Sequence, residues 1–134
     1  MQFHATGTFV VKMNPQTVHD EALGSAVSRL SLDKQFHGDL QATSKGEMLA
    51  ARSAIQGSAG YVALEQVNGT LLGRVGTFVL QHTGTMTRGV PQLSVTVVPD
   101  SGTGQLVGLS GQLAINIADG KHLYDFDYSI ADSN

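Results

Sequence analysis

His122-Leu123-Tyr124-Asp125-Phe126-Asp127-Tyr128-Ser129-Ile130 is the stretch that decides the fold. Tyr124, Phe126, Tyr128 and Ile130 fall on one parity, and Asp125, Asp127 and Ser129 fall on the other. Only a β-strand with one buried face uses that period of two. The same period runs back to the start of the chain. Phe3, Ala5, Gly7, Phe9 and Val11 share one face there, opposed by His4, Thr6, Thr8 and Lys12. Between these ends, strands are expected at about 27–37, 40–52, 61–67, 70–86, 92–98 and 104–118. Residues 14–26 read as a loop with one short helical turn at 18–23. Breaks fall at Gly38-Asp39, Arg88-Gly89, the Pro99-Asp100-Ser101-Gly102 run and Asp119-Gly120. Asn68-Gly69 reads as the tightest hairpin of the chain, since an Asn-Gly pair suits a two-residue turn.

Eight strands with short connections and no convincing helix predict an all-β fold, one domain over residues 1–134. A meander of this length hides its edges best by closing into an eight-stranded, mostly antiparallel barrel, with a two-sheet sandwich as the alternative. At eight strands the lumen is just wide enough to be filled by side chains or to hold one small ligand.

Composition narrows the function classes. Charged residues make up 14% of the 134, against roughly 25% in an average globular domain. The net charge is −3, so an electrostatic grip on nucleic acid is not expected. No cysteine is present, which removes thiolate metal sites, cysteine nucleophiles and disulfides. No apolar run is long enough for a transmembrane helix, and the opening residues lack the basic and apolar regions of a signal peptide. No membrane association and a cytoplasmic location are therefore expected. The histidines at 4, 19, 37, 82 and 122 form no i, i+2 pair, so no metal site is expected. The glycine-rich run 101–111 lacks both the Gly-Lys-Ser/Thr of a P-loop and a following helix, and reads as a turn leading into a bulged strand. No cofactor is implied.

The informative residues are polar ones on apolar faces. His82 continues the inward parity of Gly76, Phe78 and Leu80. Lys34 stands oddly between Leu32 and Phe36, and Glu65 follows Tyr61-Val62-Ala63-Leu64. A carboxylate or imidazole in an apolar lumen has a shifted pKa and suits acid–base work. With the turn at Asn68-Gly69, Glu65 would lie opposite Leu72 and reach Arg74 on the diagonal. That register predicts a Glu65–Arg74 pair at one end of the lumen and His82 at the opposite mouth.

The central run from Glu65 through Gly69-Thr70-Leu71, Gly73-Arg74 and Gly76-Thr77-Phe78-Val79-Leu80-Gln81-His82 resembles a bacterial family of small proteins of unknown function. These are built on the allene-oxide-cyclase-like, calycin-like barrel. The opening His4-Ala5-Thr6-Gly7-Thr8-Phe9, the run Val97-Val98-Pro99-Asp100-Ser101-Gly102-Thr103-Gly104 and the closing Tyr124-Asp125-Phe126-Asp127-Tyr128 look like the same family. The chain departs from it at 14–25, where relatives carry more acidic residues. The resemblance implies a flattened eight-stranded barrel that forms oligomers, and it supplies no activity.

Function is therefore expected in the lumen. The leading reading is a site for a small apolar or amphipathic molecule, with Glu65, Arg74, Phe78, His82, Tyr124 and Tyr128 as contacts. An isomerase or cyclase using Glu65 or His82 as its acid–base group is the alternative. A third reading is a barrel filled by Phe78, Leu80, Phe126 and Tyr128, with a purely structural role. The outward face of the fifth strand, Val75, Thr77, Val79, Gln81, Thr83 and Thr85, carries no charge. Interface cores are depleted in charge, so a homo-oligomer is expected, most simply a dimer and next a trimer.

Overall fold

The parity of the closing stretch carries directly into the architecture: Tyr124, Phe126 and Tyr128 all point inward and are at most 2% exposed. The computed structural model describes residues 2–17 and 26–131. In it eight antiparallel strands follow one another around a closed barrel. They are β1 (Gln2–Gln16), β2 (Val27–Gly38), β3 (Leu40–Arg52), β4 (Ala59–Leu71), β5 (Arg74–Thr87), β6 (Val90–Val97), β7 (Leu109–Ala118) and β8 (Lys121–Ile130). β1 and β8 close the ring, with Phe3 opposite Tyr128 and Ala5 opposite Phe126. The barrel, not the sandwich, is what this meander forms. Among the described residues no helix is long and apolar enough to cross a membrane. The helical turn expected at 18–23 lies outside the described residues.

The hairpin between β4 and β5 differs from expectation. The turn is Leu72-Gly73, not Asn68-Gly69, and both turn residues have positive φ, 45° and 87°. Two positive φ values are what the right-handed twist of a two-residue hairpin requires. Arg88-Gly89 and Asp119-Gly120 repeat the device, as their Gly at the second position suggests. Gly69 instead lies inside β4, opposite Ala42 on β3 and Gly76 on β5. A Cβ there would stand 2.2 Å from the Gln41 carbonyl oxygen and 2.5 Å from the Ala42 side chain. Gly69 permits close strand approach and does not make the turn. Extending β4 to Leu71 buries both Val67 and Leu71 completely, a gain that a turn at Asn68 would forgo.

The seam between β6 and β7 is thin, with one register pair, Thr96 opposite Gln112. β6 leaves β5 beyond Leu80–Val97, which would strand the amides of Val75, Thr77 and Val79. The 98–108 segment takes the place of the departing strand. Val75 N–H donates to Gln105 Oε1 (2.9 Å), Thr77 N–H to Thr103 Oγ1 (3.0 Å) and Val79 N–H to Ser101 Oγ (3.0 Å). The glycine-rich run is thus a strap containing a single 3₁₀ turn, Gly104–Leu106, where a strand beginning near 104 was expected. On the uncharged outer face of β5, Thr77 and Val79 are half-buried, whereas Val75, Gln81, Thr83 and Thr85 stay exposed.

One half of the lumen is solid. Phe78 stacks on Phe126 with ring centroids 5.9 Å apart, and Phe126 meets Tyr128 at 5.0 Å. Leu40, Leu71 and Leu106 complete this packing and are each at most 1% exposed. Tyr124 locks the β2–β3 turn: its hydroxyl accepts from Leu40 N–H (2.8 Å) and donates to the His37 carbonyl (2.9 Å). Tyr124→Phe leaves both backbone groups unpaired, and urea unfolding should show a loss of about 1–3 kcal/mol.

Candidate functional site

The inward face of β3 reads Leu40, Ala42, Ser44, Gly46, Met48 and Ala50, and is mostly small. Small side chains leave volume, and the half of the lumen away from the Phe78–Phe126 stack is open. A cavity of about 470 Å³ lies there. Phe9, Val11, Leu32, Ala50, Leu93 and Ile115 are among its walls. Its mouth holds Met13, Met48 and Met86, every methionine of the chain apart from Met1. Met86 is 42% and Ile117 71% exposed although both point inward, so the mouth opens to solvent. An exposed apolar rim of this kind marks a binding surface more often than a packing defect.

Where the cavity meets the packed half, four strands contribute a polar layer. Lys34 lies at the centre of β2, directly opposite Ser44 on β3. Glu65 on β4 is opposite Leu80 on β5, and His82 is one inward position further along. These side chains converge. Lys34 Nζ donates to Glu65 Oε2 at 2.7 Å, His82 Nε2 lies 2.7 Å from the same oxygen, and Ser44 Oγ donates to Glu65 Oε1 at 2.9 Å. Lys34, Ser44, Glu65 and His82 are all buried. The Lys34 ammonium also lies 5.0 Å from the centroid of the Phe9 ring and 5.9 Å from that of Phe36, within cation–π range.

Burial alone would push the Glu65 carboxyl upward. The His82 bond and the Lys34 ammonium outweigh it and hold Glu65 below the usual carboxylate range. An ionised carboxylate only accepts, so His82 must carry its proton on Nε2. In the neutral imidazole Nδ1 keeps its lone pair, facing the Tyr61 hydroxyl at 3.4 Å. Burial, and next the nearby Glu65 charge, raise the Tyr61 pKa, so this hydroxyl stays protonated and donates to Nδ1. Tyr61 reaches that position by lying across Gly84, where a Cβ would come within 2.4 Å of its ring. Lys34, Tyr61 and His82 all border the cavity, while Glu65 stands behind them.

The expected site residues separate cleanly. Glu65 and His82 come together, contrary to the reading that set them at opposite ends, because the true turn moves the register by eight positions in β5. The expected Glu65–Arg74 pair is absent: Arg74 is exposed beside the Leu72-Gly73 turn, opposite Leu71. Phe78, Tyr124 and Tyr128 lie in the packed half and do not border the cavity. Ser44 and Tyr61 join the layer without having been singled out. His122, stacked on Phe9 with ring centroids 5.0 Å apart, also lines the cavity. Among the described residues no group of three or more metal-ligating side chains is placed to hold a metal ion.

The fold and site define a closed eight-stranded barrel with one packed half, one open half and a charged layer between them. Residues 5–128 match the protein family of unknown function DUF3224, and the chain belongs to that family. A crystal structure of a DUF3224 protein of unknown function from Shewanella oneidensis MR-1 is similar throughout. It is 48% identical, with a TM-score of 0.93, covering 99% of this chain and 100% of that one. No curated protein matches the chain.

Proposed function

We propose that the open half of the barrel binds a small amphipathic molecule. Its apolar body fills the cavity and its polar head meets Lys34, His82 and Tyr61. One observation supports this reading above the rest: an apolar cavity of about 470 Å³ ends on a buried, hydrogen-bonded charge layer. The volume falls in the ordinary range for ligand pockets, where apolar walls supply affinity and a few polar groups fix orientation. Methionines at the mouth suit an occupant that varies in shape, because the thioether chain repacks readily.

The charge balance favours a neutral head. Glu65 already neutralises Lys34, so a carboxylate brought into the layer adds an unpaired negative charge in a poorly solvated place. A carbonyl or hydroxyl oxygen can accept from the remaining N–H groups of Lys34 without that cost. Decanone and decanol should therefore raise the melting temperature, and decanoate should do so less at neutral pH. Ala50→Phe, which fills the cavity, should abolish the shift. A wild-type melting temperature unmoved by any of the three probes overturns the proposal.

A further inference from the structure

Resting on that binding reading, we infer that His82 is a general base for an enolisable ketone held in the cavity, and that the site isomerises β,γ-unsaturated ketones to their conjugated forms. Three features place the chemistry. Glu65 fixes the His82 tautomer, with Nε2 only 2.7 Å from Oε2, so Nδ1 is the basic nitrogen. Lys34 donates to the same carboxylate oxygen, also at 2.7 Å, and lines the same cavity as His82, so an electrophile and the base face one ligand space. Among the described residues Nδ1 meets the Tyr61 hydroxyl at 3.4 Å, a long bond that an incoming substrate can replace. Glu65 acts through His82 and is a positioning residue; His82 and Lys34 meet the substrate.

The step balances without a co-reactant. The substrate carbonyl oxygen accepts a hydrogen bond from the Lys34 ammonium. Nδ1 takes a proton from the carbon between the carbonyl and the double bond. The electron pair of that C–H bond forms a new carbon–carbon double bond, and the carbonyl π pair moves onto oxygen as a dienolate. The imidazolium then gives a proton to the far carbon of the dienolate, and through the solvent-open mouth the proton it holds can exchange with water before it is returned. The carbonyl re-forms, and the double bond ends in conjugation with it. A preformed ammonium at the developing oxyanion and a base within a water-poor cavity are what such an enolisation needs. The apolar walls assign the rest of the substrate as hydrocarbon.

Decanone separates binding from chemistry, because it can undergo only the first half of the reaction. In deuterium oxide, abstraction followed by return replaces its α-hydrogens, and proton NMR reads the loss. The wild-type protein should accelerate this exchange over buffer by at least about 100-fold, the low end of general-base contributions. His82→Gln should remove that acceleration even at decanone concentrations that saturate the variant, with its own binding read by thermal shift. Ala50→Phe, with the polar layer intact, should remove both. Wild-type protein that binds decanone yet exchanges it at the buffer rate overturns the inference and leaves the binding reading standing. Absence of decanone binding overturns the reading on which the inference rests, and the inference with it.

Discussion

Glu65→Ala should lower the unfolding free energy by about 3–5 kcal/mol, the usual result of removing one partner from a buried ion pair. The loss reflects what is left behind. Lys34, buried between β1 and β3, would lose its carboxylate and be left among the rings of Phe9 and Phe36, Ser44 and His82. Removing both charges is different: Lys34→Met combined with Glu65→Leu should lose less than Glu65→Ala, because no uncompensated charge remains and the cost falls to the unpaired Ser44 hydroxyl and His82 Nε2–H. Urea unfolding of the three proteins measures this. A Glu65→Ala loss below about 1 kcal/mol would place the pair in well-solvated surroundings and contradict its burial. The same carboxylate governs acid stability. Its pKa is lowered by folding, so its contribution is fully present above the unfolded value of about 4.3 and fades as pH falls through the folded value. The double variant should show a shallower fall in stability over that acid window.

Phe126→Ala should cost a similar 3–5 kcal/mol or so, for another reason: it opens a cavity in the packed half between Phe78 and Tyr128. Decanone binding should survive it, since Phe126 does not border the open cavity. Met86→Ala should give the reverse pattern. With Met86 42% exposed at the mouth, its truncation should cost about 1 kcal/mol or less, while weakening the ligand measurably. Together the two substitutions test whether the lumen really has a structural half and a binding half. If Phe126→Ala abolishes binding in a protein that remains folded, the division fails.

The sequence carried much of this architecture and concealed one part for a physical reason. Strict alternation in β8 and β5 disclosed the strands and their inward faces, because a one-residue slip would expose a whole apolar row. His82 stood out as a polar residue on the inward face of β5, and Glu65 as a carboxylate in the apolar run of β4, where both faces are partly apolar. Their contact did not, because it depends on register, and the turn that sets the register carries a leucine at φ 45°. Leucine rarely adopts that conformation, so Leu72-Gly73 looks like strand, while Asn68-Gly69 looks like a turn and is not one. Lys34 was visible as a lone cation between Leu32 and Phe36. Its counter-charge lies two strands away, beyond anything local spacing reports. Ser44 and Tyr61 gave fainter signals: a small hydroxyl in a row of small inward residues, and a ring opposite a glycine.

The small inward residues of β3 made the open half legible only afterwards, since Ala42, Gly46 and Ala50 equally suit a tight barrel filled from across the lumen. What fills the other half comes from β5 and β8, where Phe78 and Phe126 stack. The third functional reading, a filled barrel, thus describes one half of the molecule. The cavity comes from the other half, where small inward residues such as Gly46 and Ala50 leave volume between the walls.

Carbon-labelled methionine methyl groups give the most direct test of the central claim, that the open half takes an amphipathic ligand. Met13, Met48 and Met86 all ring the cavity, so their methyl resonances report on its occupancy. Titration with decanone should shift all three saturably and with one common dissociation constant, and Ala50→Phe should abolish the shifts. Methyl resonances that stay fixed up to the solubility limit of decanone, in a folded wild-type protein, would contradict the account.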